Sequence, residues 1–231
     1  DHLLKDARNR ESLRYPLNGD PVSEEFSNIR LFVSVQDAGG RIDLNTSRPE
    51  LLVAAFQGLG ADRDLAARLS DQLLDWRDAD LRPTGTGGEL ATYQQLRRAY
   101  GPKNGPFVSV NELAQLPDFD PIWIPAFNQI ATVHSGLAGL DPRHMRPELK
   151  VLLGFSSDAN PTILLETGNR NLFASSNAGA FIIKTQAYEN QAVFVRQAVV
   201  RLNPTSSPPF DILEWKRDMP FSIIAEADVD G

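Results

Sequence analysis

The chain has 231 residues, 42% of them hydrophobic and 23% charged, with a net charge of −7, enough for one large domain or two ordinary ones, each with a core. So acidic a balance, with no run of lysine or arginine, repels phosphate backbones and makes nucleic acid a poor partner. Cysteine is absent, which removes thiol nucleophiles, thiolate zinc sites and disulfides, and three histidines (His2, His134, His144) are too few for a multi-histidine metal centre.

The sequence opens at Asp1 and not at methionine, which leaves room for a lost targeting or membrane segment. No apolar stretch approaches the ~18–20 residues that span a bilayer. Asp1 to Leu13 reads as a helix without an N-cap signal, with Leu3, Leu4 and Ala7 on one side and charged residues elsewhere. Pro16, Asn18, Gly19 and Pro21 then enforce a loop. Ile29 to Val35 alternates apolar and mostly polar residues, the period-2 pattern of a strand with one buried face. Gly39-Gly40 leads into a short extended piece, Arg41 to Leu44.

From Asn45 the character becomes helical. Thr46 or Ser47 is expected to cap a helix with Pro49 and Glu50 in its first turn. After the tight turn Gly58-Leu59-Gly60, a second helix is expected over about Asp62 to Asp78, with Leu65, Leu69, Leu73 and Trp76 at helical spacing. A glycine-rich loop, a helix over about Leu90 to Tyr100, and a capped helix opening at Ser109 with Glu112 at its third position follow. Pro121, Trp123, Ile124 and Phe127 form an apolar cluster, and Pro147 to Leu153 reads as a short helix or a strand. The remainder is rich in β-branched and aromatic residues. Strands are expected at Thr162 to Glu166, Ala180 to Tyr188, Gln191 to Leu202 and Asp211 to Arg217, with a hairpin turn at Glu189-Asn190.

Strands on both sides of a helical block imply one sheet with a helical insertion, because a lone strand at Ile29 to Val35 needs partners for its ladder. The fold class expected is α+β. Residues 1–46 and 146–231 make a discontinuous sheet-plus-helix domain, and residues 47–145 form the inserted helical domain.

The strongest chemical signal is Asp75-Trp76-Arg77-Asp78-Ala79-Asp80, followed by glycines and Glu89. Asp75 and Asp78 share a helix face near its C-terminus, where the dipole disfavours anions. On spacing alone this reads as a solvated acidic helix end, with Arg77 and Arg82 as partial counterions, or as oxygen ligands for a hard cation. The Gly58-Leu59-Gly60 turn resembles a helix-hairpin-helix, but residues 41–80 carry five arginines against eight acids, which opposes phosphate binding. A hydrolase triad could be composed from His134 or His144 with scattered serines and aspartates, but nothing places them together, and no Gly-x-Ser-x-Gly elbow or phosphate loop is present, so an enzyme is not expected.

Three stretches together resemble a known family. Asp37-Ala38-Gly39-Gly40-Arg41-Ile42-Asp43-Leu44-Asn45-Thr46 is similar to the opening of the inserted region of K-class minor pseudopilins of the type II secretion system. Leu73-Leu74-Asp75-Trp76-Arg77-Asp78-Ala79-Asp80 resembles their helix end. The run from Tyr100 to Leu113, with Lys103-Asn104-Gly105-Pro106-Phe107 and Ser109, resembles their third motif. The resemblance covers about residues 37 to 135.

It implies a pilin-like fold, in which a long N-terminal helix packs on an antiparallel sheet and a large helical domain is inserted. It also implies a non-enzymatic role at the tip of the pseudopilus with the I- and J-class siblings, without nucleic acid. The globular part would be periplasmic, and the membrane would be reached only through an apolar helix preceding Asp1. Leu3, Leu4 and Ala7 would contact sibling helices. The resemblance further implies calcium at the matching positions Asp75, Asp78, Asp80 and Glu89. Leu81 and Leu90 stand where relatives carry further acids, which implies weaker binding or one ion in place of two. The competing reading is a helix-hairpin-helix nucleic-acid-binding protein.

Overall fold

The computed structural model describes residues 14–26, 29–167, 171–177, 179–189, 192–218 and 220. The expected helix at Asp1 to Leu13, including Leu3, Leu4 and Ala7, lies outside these residues, as do Asn190 of the expected hairpin turn and most of the tail after Asp218.

The chain divides into two compact units, one of Asp1–Gln36 with Phe181–Gly231 and one of Asp37–Ala180. The first unit is built on a five-stranded sheet in the order β1-β2-β5-β6-β7. The strands are β1 (Val22–Phe26), β2 (Ile29–Asp37), β5 (Ala180–Glu189), β6 (Ala192–Leu202) and β7 (Phe210–Lys216). β1 pairs antiparallel with β2 from Val22 opposite Val33 to Phe26 opposite Ile29. β6 pairs antiparallel with β7, with a bulge between Val199 and Val200.

The strands expected at Ile29 to Val35 and Gln191 to Leu202 therefore share one sheet. β1 escaped prediction because Val22-Ser23-Glu24-Glu25-Phe26 carries two adjacent acids and sits at an edge, where one side of the ladder needs no partner. Arg14 and Tyr15 hold this edge by hydrogen bonds to the Glu24 carboxylate. Phe32 and Tyr188 meet edge to face at 5.8 Å between centroids.

The second unit holds most of the helix and a continuous apolar core from Ile42 to Phe173. Its first helices are α1 (Pro49–Gly58) and α2 (Arg63–Arg77). α1 is not capped by Thr46 or Ser47. Arg48 occupies the cap position and its side chain does not cap the helix, which opens on Pro49. Thr46 instead donates its hydroxyl to Leu137 O at 2.8 Å.

α3 spans only Leu90–Gln95, shorter than expected, because the chain turns at Arg97 into the left-handed region (φ 56°). The expected helix after Ser109 is a 3₁₀ turn, Val110–Gln115, and its capping box between Ser109 and Glu112 is present. A further 3₁₀ turn, Pro121–Trp123, leads directly into α4 (Ile124–Ile130). Pro147–Leu152 resolves as helix α5.

Thr162 to Glu166, expected as a strand, is helix α6 (Pro161–Thr167). The Asn160 side chain accepts from the backbone of Thr162 at 2.9 Å and Ile163 at 3.3 Å, and proline follows the cap. These start signals override the β-branched composition.

The inserted unit is wider than residues 47–145 because both flanks pack within it. Ile42 and Asp43 (β3) form a small parallel ladder with Ala131 and Thr132 (β4). At the far end, Leu140 bridges Phe173, and Ser176 bonds the Asp37 carboxylate at 2.8 Å. Gly40 lies so close to His144 that a Cβ would stand 2.0 Å from its carbonyl oxygen, so only glycine fits.

Burial by itself pushes the Asp141 carboxyl up. Against it act the Arg143 guanidinium, the backbone N–H groups of Ser176 and Arg143, and the charge of His144. Together they hold this buried carboxyl below the usual range.

Candidate metal site and the junction that holds it

α2 carries the acids, and the structure divides them by task. Asp71 and Asp75 are four residues apart and so lie on one face. Both turn toward the loop after the helix. Asp75 accepts from the backbone N–H of Thr84 at 2.8 Å and of Gly88 at 2.7 Å. Asp71 accepts from the backbone and hydroxyl of Thr86 at 2.9 and 3.2 Å. Gly87 permits this approach, since a Cβ there would stand 2.1 Å from Asp75 Oδ2. Asp75 is fully buried and its carboxylate acts as a loop clamp.

Asp78, Asp80 and Glu89 form a second group, with one carboxylate oxygen from each lying within 4.8 Å of the others. Three of the four acids singled out by the sequence thus converge, and Asp75 stands beside them on backbone amides.

The electrostatics of this trio are unfavourable without a cation. Burial first, then the charges of Asp80 and Asp75, push the Asp78 carboxyl up. Burial and the charges of Asp75, Asp78 and Asp80 do the same to Glu89. Among the described residues, Asp78 Oδ1 and both Glu89 oxygens are buried without a hydrogen-bond partner, and the Glu89 residue is only 9% exposed. Unpaired buried acceptors are each worth a penalty of about 1–3 kcal/mol, more for a charge.

Arg77, expected as a partial counterion, draws the Asp78 carboxyl down through its charge but spends its hydrogen bonds elsewhere. Its guanidinium donates to Leu44 O at 2.7 Å and Ser47 O at 2.8 Å, and burial lowers its pKa. Arg82 contributes only its backbone N–H, to Asp80 Oδ1 at 2.8 Å. The donor set, three carboxylates with orphaned oxygens, fits a hard divalent cation bound through oxygen.

The remaining motif residues lock this site in place. The Asn45 amide accepts from Phe107 N at 2.7 Å and donates to Phe107 O at 3.0 Å. Trp76 Nε1 reaches Glu112 at 3.3 Å, and Lys103 pairs with the same carboxylate at 3.0 Å. Gly105 N donates to Trp76 O at 3.2 Å. The three sequence stretches therefore meet at the end of α2. Sequence reasoning missed Asp71, although its i, i+4 relation to Asp75 beside a glycine-rich loop is a readable signal.

The Gly58-Leu59-Gly60 turn is a packing device. The Asp62 carboxylate itself caps α2, accepting from Leu65 N at 2.8 Å, so the amides that would grip a phosphate face an anion already. No helix among the described residues is long and apolar enough to cross a membrane.

Comparisons with known proteins agree with the motif reading. Residues 28–135 match the family model described as Type II secretion system (T2SS), protein K. A relative from Pectobacterium carotovorum subsp. carotovorum, described as Type II secretion system protein K, is 25% identical over 136 residues. The match covers 51% of this chain and 42% of that relative, so the chain spans less than half of its length. The crystal structure of the GspK-GspI-GspJ complex from enterotoxigenic Escherichia coli contains a chain of like fold. Its TM-score is 0.65 at 14% identity, with 94% of this chain and 92% of that one covered.

Proposed function

We propose that this chain, whose residues 28–135 match the family model described as Type II secretion system (T2SS), protein K, is a minor pseudopilin of that family that works by bulk and contact, without catalysis. It sits at the tip of the pseudopilus and starts or caps the filament. The observation that carries this reading is the position of the helical unit. Asp37–Ala180 interrupts a sheet between two neighbouring strands, β2 and β5. A filament grows by stacking subunits whose apolar helices bundle at the axis. A subunit bearing so large an inserted unit leaves no room for another above it, so it suits initiation and termination and not extension.

Its partners in this reading are sibling minor pseudopilins of the I and J classes, the proteins named with GspK in the E. coli complex. Leu3, Leu4 and Ala7 would meet their helices, an apolar helix preceding Asp1 would anchor the protein in the inner membrane, and the globular part would be periplasmic. Replacing residues 38–179 of the full-length protein by a short linker tests the cap. We expect loss of filament initiation with retained co-purification of both siblings. Filaments of normal number and length from the shortened protein would overturn the reading.

The trio Asp78, Asp80 and Glu89 is read as a calcium site. Calcium takes roughly six to eight oxygens, and the cation would neutralise a cluster that is otherwise self-repelling. Its role here is structural: it would fix the 78–89 loop against the end of α2. Binding to the folded state alone adds stability by mass action, about 2.7 kcal/mol at a hundredfold excess over Kd. The melting midpoint should therefore rise in millimolar calcium and fall in chelator. An unchanged midpoint would leave the trio as a plain acidic helix end.

A further inference from the structure

We propose that one face of the β6–β7 edge docks on an anionic lipid surface, an inference that rests on the reading above of an anchor preceding Asp1, which would keep the sheet unit beside the bilayer. The register fixes that face. Residues opposite one another in an antiparallel pair share a face, and Ala198 lies opposite Trp215, Val200 opposite Ile212 and Leu202 opposite Phe210. Strict alternation along β7 would send Ile212 and Trp215 to opposite faces. The bulge between Val199 and Val200 absorbs a residue and returns both to the same one. Trp215 is 65% exposed, Ile212 57% and Phe210 39%. Exposed apolar side chains lined up on an edge strand mark a surface made to be covered. At the opposite edge of the sheet, β1 carries Glu24 and Glu25 instead.

Charge selects the occupant. Both acids of the two strands fall on the other face, Asp211 opposite Arg201 and Glu214 opposite Val199. Glu214 is further paired with Lys216 at 2.8 Å. By alternation from Ala198, Arg196 joins the face of Trp215, with exposed Phe194 beyond it. Exposed Arg217 follows the strand. In a chain of net charge −7, this face is therefore apolar and basic. A second copy stacked on it would bring arginine to a surface without acids. An anionic bilayer offers what the face lacks: aromatic rings settle at the headgroup level while arginine meets phosphate. Acids elsewhere on the chain oppose this only within a Debye length of about 8–10 Å, so the near face decides.

The test is flotation of this chain with vesicles of phosphatidylglycerol and phosphatidylethanolamine, against vesicles of phosphatidylcholine alone. Quenching of tryptophan fluorescence by brominated lipid is the second readout. We expect the anionic vesicles to be preferred and the preference to fade with added salt. Trp215→Ser should lower partitioning about tenfold, the loss of one buried aromatic side chain. Arg196→Gln should lower it about fivefold. Trp215→Phe should keep the binding and lose most of the quench, because Trp76 is buried. Trp215 is exposed, so neither change there should alter the melting temperature. Equal binding to both lipids, or binding to neither, overturns the proposal. If Trp215→Ser instead costs the full-length protein its siblings and leaves vesicle binding unchanged, the face docks protein and the lipid assignment is wrong. The anchor is read separately, by alkaline extraction of the full-length protein from membranes, which strips a docked face but not a spanning helix.

Discussion

Replacing Phe56 by alanine should lower the unfolding free energy by about 3–5 kcal/mol, the largest effect expected of any single side chain here. Phe56 is fully buried on α1 and meets the rings of Phe127 at 5.3 Å and of Phe119 and Trp123 at 6.4 Å. Phe119 also meets both Trp123 and Phe127, so the cluster is an aromatic knot tying α1 to the 119–127 stretch. Truncating its hub removes transfer energy and leaves a cavity that the three surrounding rings cannot easily fill. Ordinary domains are stable by only about 5–15 kcal/mol, so a large part of the total is at stake. Urea unfolding followed by tryptophan fluorescence measures it. A loss under 1 kcal/mol would mean that the knot repacks, contrary to this account.

The second large effect separates two kinds of acid. Asp75→Ala should cost about 2–5 kcal/mol whether or not calcium is present, because it strands the backbone N–H groups of Thr84 and Gly88 beside a void. Asp78→Asn should do the reverse. It removes a charge that burial and its acidic neighbours already disfavour, so the chelator-treated protein should be as stable as the parent or more so. The calcium-dependent rise in melting temperature should disappear. Chemical unfolding of both variants with calcium and with chelator reads the four values directly. If the two variants behave alike, the division between clamp and ligand is wrong.

Much of this was legible in the sequence, for reasons that differ from element to element. The period-2 alternation of Ile29 to Val35 and the apolar spacing of Leu65, Leu69, Leu73 and Trp76 are direct imprints of one buried face. The capping box at Ser109 and Glu112 was readable because it is local. What escaped depended on distant partners or on competition between signals. Nothing in Ile42-Asp43 announces a parallel partner at Ala131-Thr132. α6 was hidden because β-branched composition and an Asn-Pro start point in opposite directions, and the cap prevailed. At the acidic site the sequence presented Asp75, Asp78, Asp80 and Glu89 as equals. Only coordinates show that Asp75 spends its oxygens on loop amides.

The motif residues carry a related lesson. Asn45, Trp76, Arg77, Phe107 and Glu112 form a bonded junction in which each motif supplies what another lacks. The junction gives these residues a structural task, holding the end of α2.

The adjacency of β2 and β5 also bears on how the protein is made. The ribosome delivers β2 long before β5, with all of Asp37–Ala180 emerging between them. At about 5–20 residues per second this leaves the inner edge of β2 without its neighbour for on the order of ten seconds. The nascent hairpin of β1 and β2 is then an open strand edge, the kind of surface that recruits wrong partners. The helical unit, which has its own continuous apolar core, can complete itself during that interval. Folding would thus run from the inserted unit outward.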